Sequence, residues 1–324
     1  MHQDTPDKPR NLFLLGITQR CGTNFLHDLL CRHPDCGTGA AIREDHLLGA
    51  AAHLVRYAAA VGGRWDPAWG GGPGLRPLLE TCLGNGLREF LRRQGEAVED
   101  PQRIPEAVRP MIRQHPRYLV ARTPGVDGLE YYRRLFGDTP LILLVRDGRA
   151  VTESLQRSFR WRFRAAARTW NDAALRIRRV LGDPALRPER VHLVRYEALY
   201  TDTRRTLLEL FRFLDLDPDR YDFAAAAEQP VRGSSTHARS DGEAVHWTPA
   251  ARDETFRPLE RWHGWSRWRR RRFVHLAGAG LAALGYPVEA ADRPGLPGTL
   301  LHRACDLAGA QRDRLSELLR GGPQ

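Results

Sequence analysis

The chain is almost without lysine. Of its 50 basic residues one is lysine, Lys8, and the other 50 − 1 = 49 are arginine. Lys8 precedes the first apolar segment, so no loop can carry the Gly-Lys-Ser/Thr sequence with which nucleoside triphosphatases reach terminal phosphates. Any phosphate site in this fold must be built from arginine and backbone amides. Cysteine is sparse too: Cys21, Cys31, Cys36, Cys82 and Cys305 are five in number and lack the C-x-x-C spacing of a zinc site. This odd, scattered set argues against a disulfide framework and for a reducing compartment. Long apolar runs are also missing. Leu12 to Ile17 is a run of six residues, too short for a signal peptide or an anchor, and no later run reaches membrane-spanning length. Together these absences predict a cytoplasmic protein.

What is present is an ordinary globular composition: 324 residues, 42% hydrophobic and 27% charged, with ample material for a core. The net charge is 50 − 39 = +11 with histidine neutral. Such a balance favours nucleotides, nucleic acid or acidic membrane as partners, or serves only solubility. Short apolar runs at Leu12–Leu15, Tyr118–Ala121, Leu141–Val145 and Val191–Val194 read as strands. Helical patterns occupy Asn24–Cys31, Asp45–Val61, Leu75–Gln94, Leu129–Phe136, Arg149–Ser158, Ala165–Leu181, Thr203–Leu214 and Arg267–Leu284. The alternation predicts an α/β fold, a parallel sheet covered on both faces. One domain is expected over 1–290, with a C-terminal tail over 291–324 to which no role is assigned.

Gly16 to Asn24 (GITQRCGTN) joins the first strand to the first helix. Backbone N–H groups and the helix dipole at such a junction attract phosphate. Gly22 permits close backbone approach, Thr23 offers a hydroxyl, and Arg20 a planar cationic fork. A plain strand-to-helix turn has much the same sequence. A cysteine-based phosphatase is excluded, because six residues after Cys21 stands His27 and not arginine. Cys21 itself reads as a small packing residue rather than an activated thiol.

The LILLV strand ends in Arg146-Asp147-Gly148-Arg149, with Ser154 two helical turns further on. Strand C-termini of an open parallel sheet face one crevice, so this turn and the first loop share it. An ATP or GTP enzyme places a magnesium-binding carboxylate here, whereas this chain places arginine first. Arg146 is positioned for bidentate pairing with a phosphate, and Ser154 faces a similar way. Arg149 reads as a solvated charge at a helix start.

These two segments give the chain its likeness to a known family. It resembles the sulfotransferases that use 3′-phosphoadenosine 5′-phosphosulfate (PAPS), more closely the bacterial and tyrosylprotein-type branch than the cytosolic aryl branch. QRCGTNFLHDLLCRHPD is similar to the family's 5′-phosphosulfate loop, R-S-G-T-x-x-L followed by H-P. LILLVRDGRAVTESLQRSF is similar to its 3′-phosphate segment, R-D-x-R-x-x-x-x-S. Looser matches follow in family order at Ala121–Pro124, Val194–Asp217 and Arg232–Thr236. The resemblance implies a P-loop-like parallel sheet flanked by helices, with helical elaborations. It implies that Arg20, Cys21, Gly22, Thr23 and Asn24 hold the 5′-phosphosulfate, and that Arg146 and Ser154 hold the 3′-phosphate. Tyr196 and the Arg232-Gly233-Ser234-Ser235 loop would complete the pocket, and no metal is expected. Cys21 stands where the family has serine, and Arg122 where it often has lysine. Arg122 and Arg20 would stabilise charge during transfer.

In the resembling branch the base is a glutamate soon after the H-P turn. Here Arg43-Glu44-Asp45-His46 begins eight residues after Asp35. Glu44 is the candidate base, with Asp45 and His46 behind it. The same acidic pair could instead cap the following helix. The expected activity is sulfuryl transfer from PAPS to a hydroxyl or amine, releasing 3′-phosphoadenosine 5′-phosphate. The acceptor is a small molecule, glycan, lipid or peptide, in a pocket shaped by the Trp65/Trp69 loop and by residues beyond Thr236. Two alternatives compete. WHGWSRWRRRRF at Trp262–Phe273 suits a surface for nucleic acid or acidic lipid, although a helix with inward tryptophans and solvated arginines is the expected reading. A nucleotide-dependent kinase is the other, against which the missing loop lysine argues. Nucleic acid and a membrane span are not expected.

Overall fold

A computed structural model describes residues 8–38, 44–69, 71–96, 111–113, 116–184, 186–232, 251–252 and 256–320. Strands β1 (Arg10–Gly16), β2 (Cys36–Gly37), β3 (Tyr118–Thr123), β4 (Leu141–Val145) and β5 (Val191–Arg195) form one sheet in the order β2-β3-β1-β4-β5. Every pairing is parallel. β1 is buried from Asn11 onward and β4 throughout, which is why both read as unbroken apolar runs. The four expected strands are present. β2, only two residues at the sheet edge, carries no periodicity that could have announced it.

Helices α1 (Thr23–Leu30), α2 (Ala51–Gly62) and α3 (Leu75–Glu96) lie between β1 and β3, and α4 (Tyr132–Phe136) precedes β4. α5 (Gly148–Phe159) and α6 (Phe163–Leu181) cross from β4 to β5, which α7 (Tyr196–Thr201), α8 (Thr203–Leu214) and α9 (Phe223–Ala227) follow. α10 (Arg267–Ala283) and α11 (Leu296–Arg320) come last. The helix expected from Asp45 starts only at Ala51, after a 3-10 turn over Leu48–Ala50. His46 has φ 48°, and the Asp45 N–H donates to the Arg122 carbonyl on β3 at 3.2 Å. That pairing holds the Glu44–Leu47 stretch against the sheet, and a left-handed residue cannot continue a right-handed helix.

The register pairs Leu15 with Thr123, Gly16 with Leu144 and Val145 with Arg195, so these strands finish nearly level at their C-terminal ends. β1 sits between β3, its neighbour on the β2 side, and β4 on the other. This is the point where an open parallel sheet collects ligands.

Trp170 on α6 locks the crossover helices to that end of the sheet. It is fully buried and donates its Nε1–H to the Arg146 carbonyl at 3.0 Å. A Cβ on Gly148 would fall 2.4 Å from its ring, so no larger residue fits at the start of α5. α10 lays Phe273 against Trp170, with ring centroids 6.1 Å apart. Truncating such a buried aromatic to alanine costs about 3–5 kcal/mol. α11 is tied down by Arg272, which donates to the His302 carbonyl at 2.7 Å, and by Asp306, which pairs with Arg168 at 3.1 Å.

Candidate active site

The loop after β1 is shaped by two residues with positive φ. Gly22, at 104°, caps α1, and a Cβ there would lie 2.3 Å from the Tyr196 ring, so both conformation and space demand glycine. Arg20, at φ 68°, has no such excuse, and a left-handed non-glycine residue costs about 1–3 kcal/mol. Arg146 explains its persistence: the Arg146 Nη1 donates to the Arg20 carbonyl at 2.9 Å. The Nη2 of the same side chain donates to the Pro258 carbonyl at 2.6 Å, and its guanidinium lies 4.3 Å from the centre of the Tyr196 ring. The fork expected to meet a phosphate thus also fastens the loop to the 256–265 segment. One hydrogen on each Nη remains for other partners.

A cleft of about 430 Å³ opens here, lined by Arg20, Gly22, Thr23, Asn24, Arg146, Ser154, Tyr196 and Arg232, as the sequence anticipated. Val231, Phe256, Pro258 and Arg261 line it as well, and none of these was anticipated. Among the described residues no carboxylate lines the cleft. Burial, followed by the charge of Arg146, pulls the pKa of Arg20 down to about 10 and that of Arg261 to about 10. Arginines crowded together in a buried place are held there at an electrostatic cost that a bound anion would relieve. Arg20 Nε also donates to Ser154 Oγ at 3.4 Å, bridging the loop and α5. The buried Asn24 Oδ1 has no hydrogen-bond partner among the described residues.

Arg232 differs from its neighbours. It makes a bidentate ion pair with Asp28, a fully buried carboxylate that His27 Nδ1 approaches to 3.3 Å. Burial alone would raise the Asp28 pKa, but the bonds from His27 and Arg232 outweigh it and hold the group below its ordinary range. Gly233, Ser234 and Ser235 lie outside the described residues. The Cys21 side chain does not line the cleft: it is fully buried, its thiol pKa is pushed up to about 11 by that burial, and its Sγ fills the space beside Gly16.

Arg149 corrects the expectation of a solvated charge. It is buried, pairs with Asp147 at 2.6 Å, and stacks 3.9 Å from the Trp262 ring centre. Asp147 also caps α5 by accepting from the Arg149 N–H at 2.8 Å, so arginine and aspartate form one closed unit.

The candidate carboxylates hang from the end of β3. Arg122 there is buried, and its pKa is lowered by burial, against which the charges of Glu44 and Asp28 work. The Glu44 side chain is 33% exposed, and its Oε2 lies 3.4 Å from His46 Nε2. Asp45 Oδ1 is spent on a local turn, accepting from the Leu47 N–H at 3.0 Å. Glu44 and Arg122 are neighbours, but neither lines the cleft of Arg20. Trp65, expected near the acceptor, does not line it either. Among the described residues no group of three His, Cys, Asp or Glu side chains is placed to hold a metal, and no helix is long and apolar enough to cross a membrane.

The fold is an α/β parallel sheet with an arginine-lined cleft at its switch point, and comparison of sequences gives the class a name. The chain matches the sulfotransferase family over residues 11–220, from β1 to the turn before α9, and belongs to that family. The segment carrying Phe256, Pro258 and Arg261 lies outside the matched region. Among solved structures it is similar to the sulfotransferase domain from the curacin biosynthetic pathway, at 17% identity over 87% of this chain and 100% of that one, TM-score 0.48. It is similar also to the sulfotransferase domain of the Synechococcus PCC 7002 olefin synthase, at 19% identity over 87% and 97% of the two chains, TM-score 0.46. A sulfotransferase from Alicyclobacillus acidocaldarius matches at 13% identity over 89% and 100%, TM-score 0.41. No curated protein matches significantly.

Proposed function

We propose that this sulfotransferase takes its sulfuryl group from PAPS and passes it to a hydroxyl or amine. The observation that carries the reading is the cleft in which Arg20, Arg146 and Arg261 crowd together with no carboxylate among the described lining residues. A donor with phosphate at both the 3′ and 5′ positions has the charge to relieve that crowding. Arg20, the Gly22–Asn24 backbone and the Thr23 hydroxyl would take the 5′ end. Arg146 and Ser154 would take the 3′-phosphate, with Tyr196, Arg232 and Arg261 closing the pocket. Free buried thiols at Cys21, Cys31 and Cys36 support a reducing, cytoplasmic setting.

In the transfer itself, a lone pair on the acceptor oxygen or nitrogen forms the new bond to sulfur as the bond from sulfur to the bridging phosphate oxygen breaks. The acceptor's proton passes to the Glu44 carboxylate. The leaving 3′-phosphoadenosine 5′-phosphate carries the negative charge away, stabilised by Arg20, while Arg122 faces the charge developing on the transferred group. Glu44 is favoured over Asp45 because its carboxylate is not committed to a local turn, whereas Asp45 Oδ1 accepts from the Leu47 N–H.

The test is a calorimetric titration of the metal-free protein with 3′-phosphoadenosine 5′-phosphate, with AMP and Mg-ATP as controls. Binding that requires the 3′-phosphate is the expected result, and a preference for Mg-ATP sinks the reading. Glu44→Gln should keep that affinity and lose at least about a hundredfold in PAPS-dependent turnover. Full turnover in the variant moves the base elsewhere.

A further inference from the structure

A second cleft opens on the other side of the phosphate loop. Thr18 and Gln19 line it where Arg20 lines the first, and Leu155 lines it where Ser154 lines the first. One loop and one helix are therefore the partition between two cavities. The second is the larger, about 860 Å³ against 430 Å³, and its chemistry is the reverse of its neighbour's. Ile17, Val126 and Leu155 are buried apolar lining residues, and Trp161 is a half-buried wall beside them. The acidic groups are Asp127 and Asp172. Among the described lining residues the arginine is Arg176, answered by two carboxylates, Asp127 at 2.5 Å and Glu130 at 3.4 Å. In a chain of net charge +11 this cavity has more acid than base around it.

Position argues for a part in the reaction. A group held by the Gly16–Asn24 loop must be met from a space touching that loop, and this cleft touches it from the side away from the nucleotide pocket. Its wall at 124–127 continues β3 directly from Arg122, whose carbonyl holds Asp45, so the base candidate and the cleft hang on the same strand end.

Resting on the sulfuryl-transfer reading above, we propose that this cleft is the acceptor site, and that the acceptor is an alcohol or amine with a flat apolar body and no anionic group. Trp161 and Leu155 offer the area and shape that cover a ring. A carboxylated or already sulfated acceptor would meet Asp127 and Asp172, and the arginine among the described lining residues, Arg176, is already paired with Asp127 and Glu130. The class narrows to neutral or cationic aryl and alicyclic alcohols and amines.

The test uses three phenols of one size: tyramine, tyrosol and 4-hydroxyphenylacetate, whose side chains are cationic, neutral and anionic. Each is titrated into the full chain, with and without saturating 3′-phosphoadenosine 5′-phosphate. Tyramine and tyrosol should bind, the anion about fivefold or more weakly than tyramine. Trp161→Ala should abolish phenol binding and leave 3′-phosphoadenosine 5′-phosphate affinity unchanged. Asp172→Asn, an exposed and structurally mild change, should shrink the preference for tyramine. Equal or tighter binding of the anion, no binding of any phenol, or indifference to Trp161→Ala overturns the inference while the nucleotide titration still stands. Phenols that bind with this preference to a protein that ignores the nucleotide would instead sink the transfer reading and leave a cleft for apolar cations without a reaction.

Discussion

Two groups of arginines, one on α10 and one around the cleft beside the β1–α1 loop, are unlike in company. On α10, Arg269 pairs with Glu153 at 2.7 Å, Arg270 with Asp292 at 3.2 Å, and Arg272 with Asp306, while Arg271 donates to the Ala291 carbonyl. At the loop, Arg20, Arg146 and Arg261 have one another as neighbours, and no described carboxylate lines their cleft. The difference teaches how to read a chain with 49 arginines. Arginine density marks nothing here; what marks a site is cations gathered in one cleft that no described carboxylate lines. The Trp262–Phe273 segment, which could have been a basic binding surface, is mostly packing. Trp262 stacks on Arg149, Trp265 donates to Glu153 at 2.7 Å, and Phe273 is buried. Trp268, 53% exposed, is the exception.

Arg232 is where the comparison can be broken most forcibly, because it lines the arginine-rich cleft yet is paired like an α10 arginine. Asp28→Ala should strand that guanidinium in the interior and cost about 3–5 kcal/mol of stability in chemical denaturation. The pH dependence has a definite sign. Asp28 titrates below its ordinary range in the folded state, so its contribution is complete above that range and is lost as pH falls through the depressed value. The acid limb of the stability curve should flatten in Asp28→Asn. A variant as stable as the parent would mean the pair does not hold Arg232 in place.

Arg146→Ala comes next. It removes a charge from the cleft and both fastenings of the loop, to the Arg20 and Pro258 carbonyls. Affinity for 3′-phosphoadenosine 5′-phosphate should fall at least about tenfold in calorimetry. Unchanged affinity in a folded variant would reduce Arg146 to scaffold. A smaller and graded effect follows from pH alone. Arg20 and Arg261 both titrate near about 10, so the nucleotide should bind best well below that pH and progressively less tightly as pH rises through it. An affinity flat from neutrality to pH about 10 would show that neither cation contributes.

Much of this was legible in the sequence, and what was not has physical reasons. The β1–loop–α1 unit could be read because its residues act locally: Gly22 must be glycine, Thr23 and Arg20 must be polar, and the flanking runs are apolar. Arg149 was misread as solvated because its stacking partner, Trp262, comes from a distant part of the chain. The false helix start at Asp45 failed for the same reason, since its competitor is a backbone bond to Arg122. α7 hid by following β5 without a break, Tyr196 coming directly after Arg195. Arg261, Phe256 and Pro258 gave no signal at all, since one arginine among 49 cannot be singled out and their pocket is made only by the fold. A loop that must turn writes its requirement into its own residues, whereas a cleft assembled from distant segments does not.

The smallest expected effect sharpens the comparison from its other side. Arg271 lies in the densest run of positive charge in the chain, and by charge density alone it has a stronger claim to an anion than Arg146. It is half-buried, and its Nε donates to the Ala291 carbonyl at 3.0 Å. A bond of this kind at the surface contributes little, so Arg271→Ala should change stability by no more than about 0.5 kcal/mol. Nucleotide affinity should stay within error of the parent, measured beside Arg146→Ala at one salt concentration. At low ionic strength, where screening of the less buried Arg271 is weakest, a difference between the variants reports local surroundings rather than net charge. Equal losses of affinity would mean that the nucleotide responds to the overall charge of the protein, and that the crowding of Arg20, Arg146 and Arg261 is incidental.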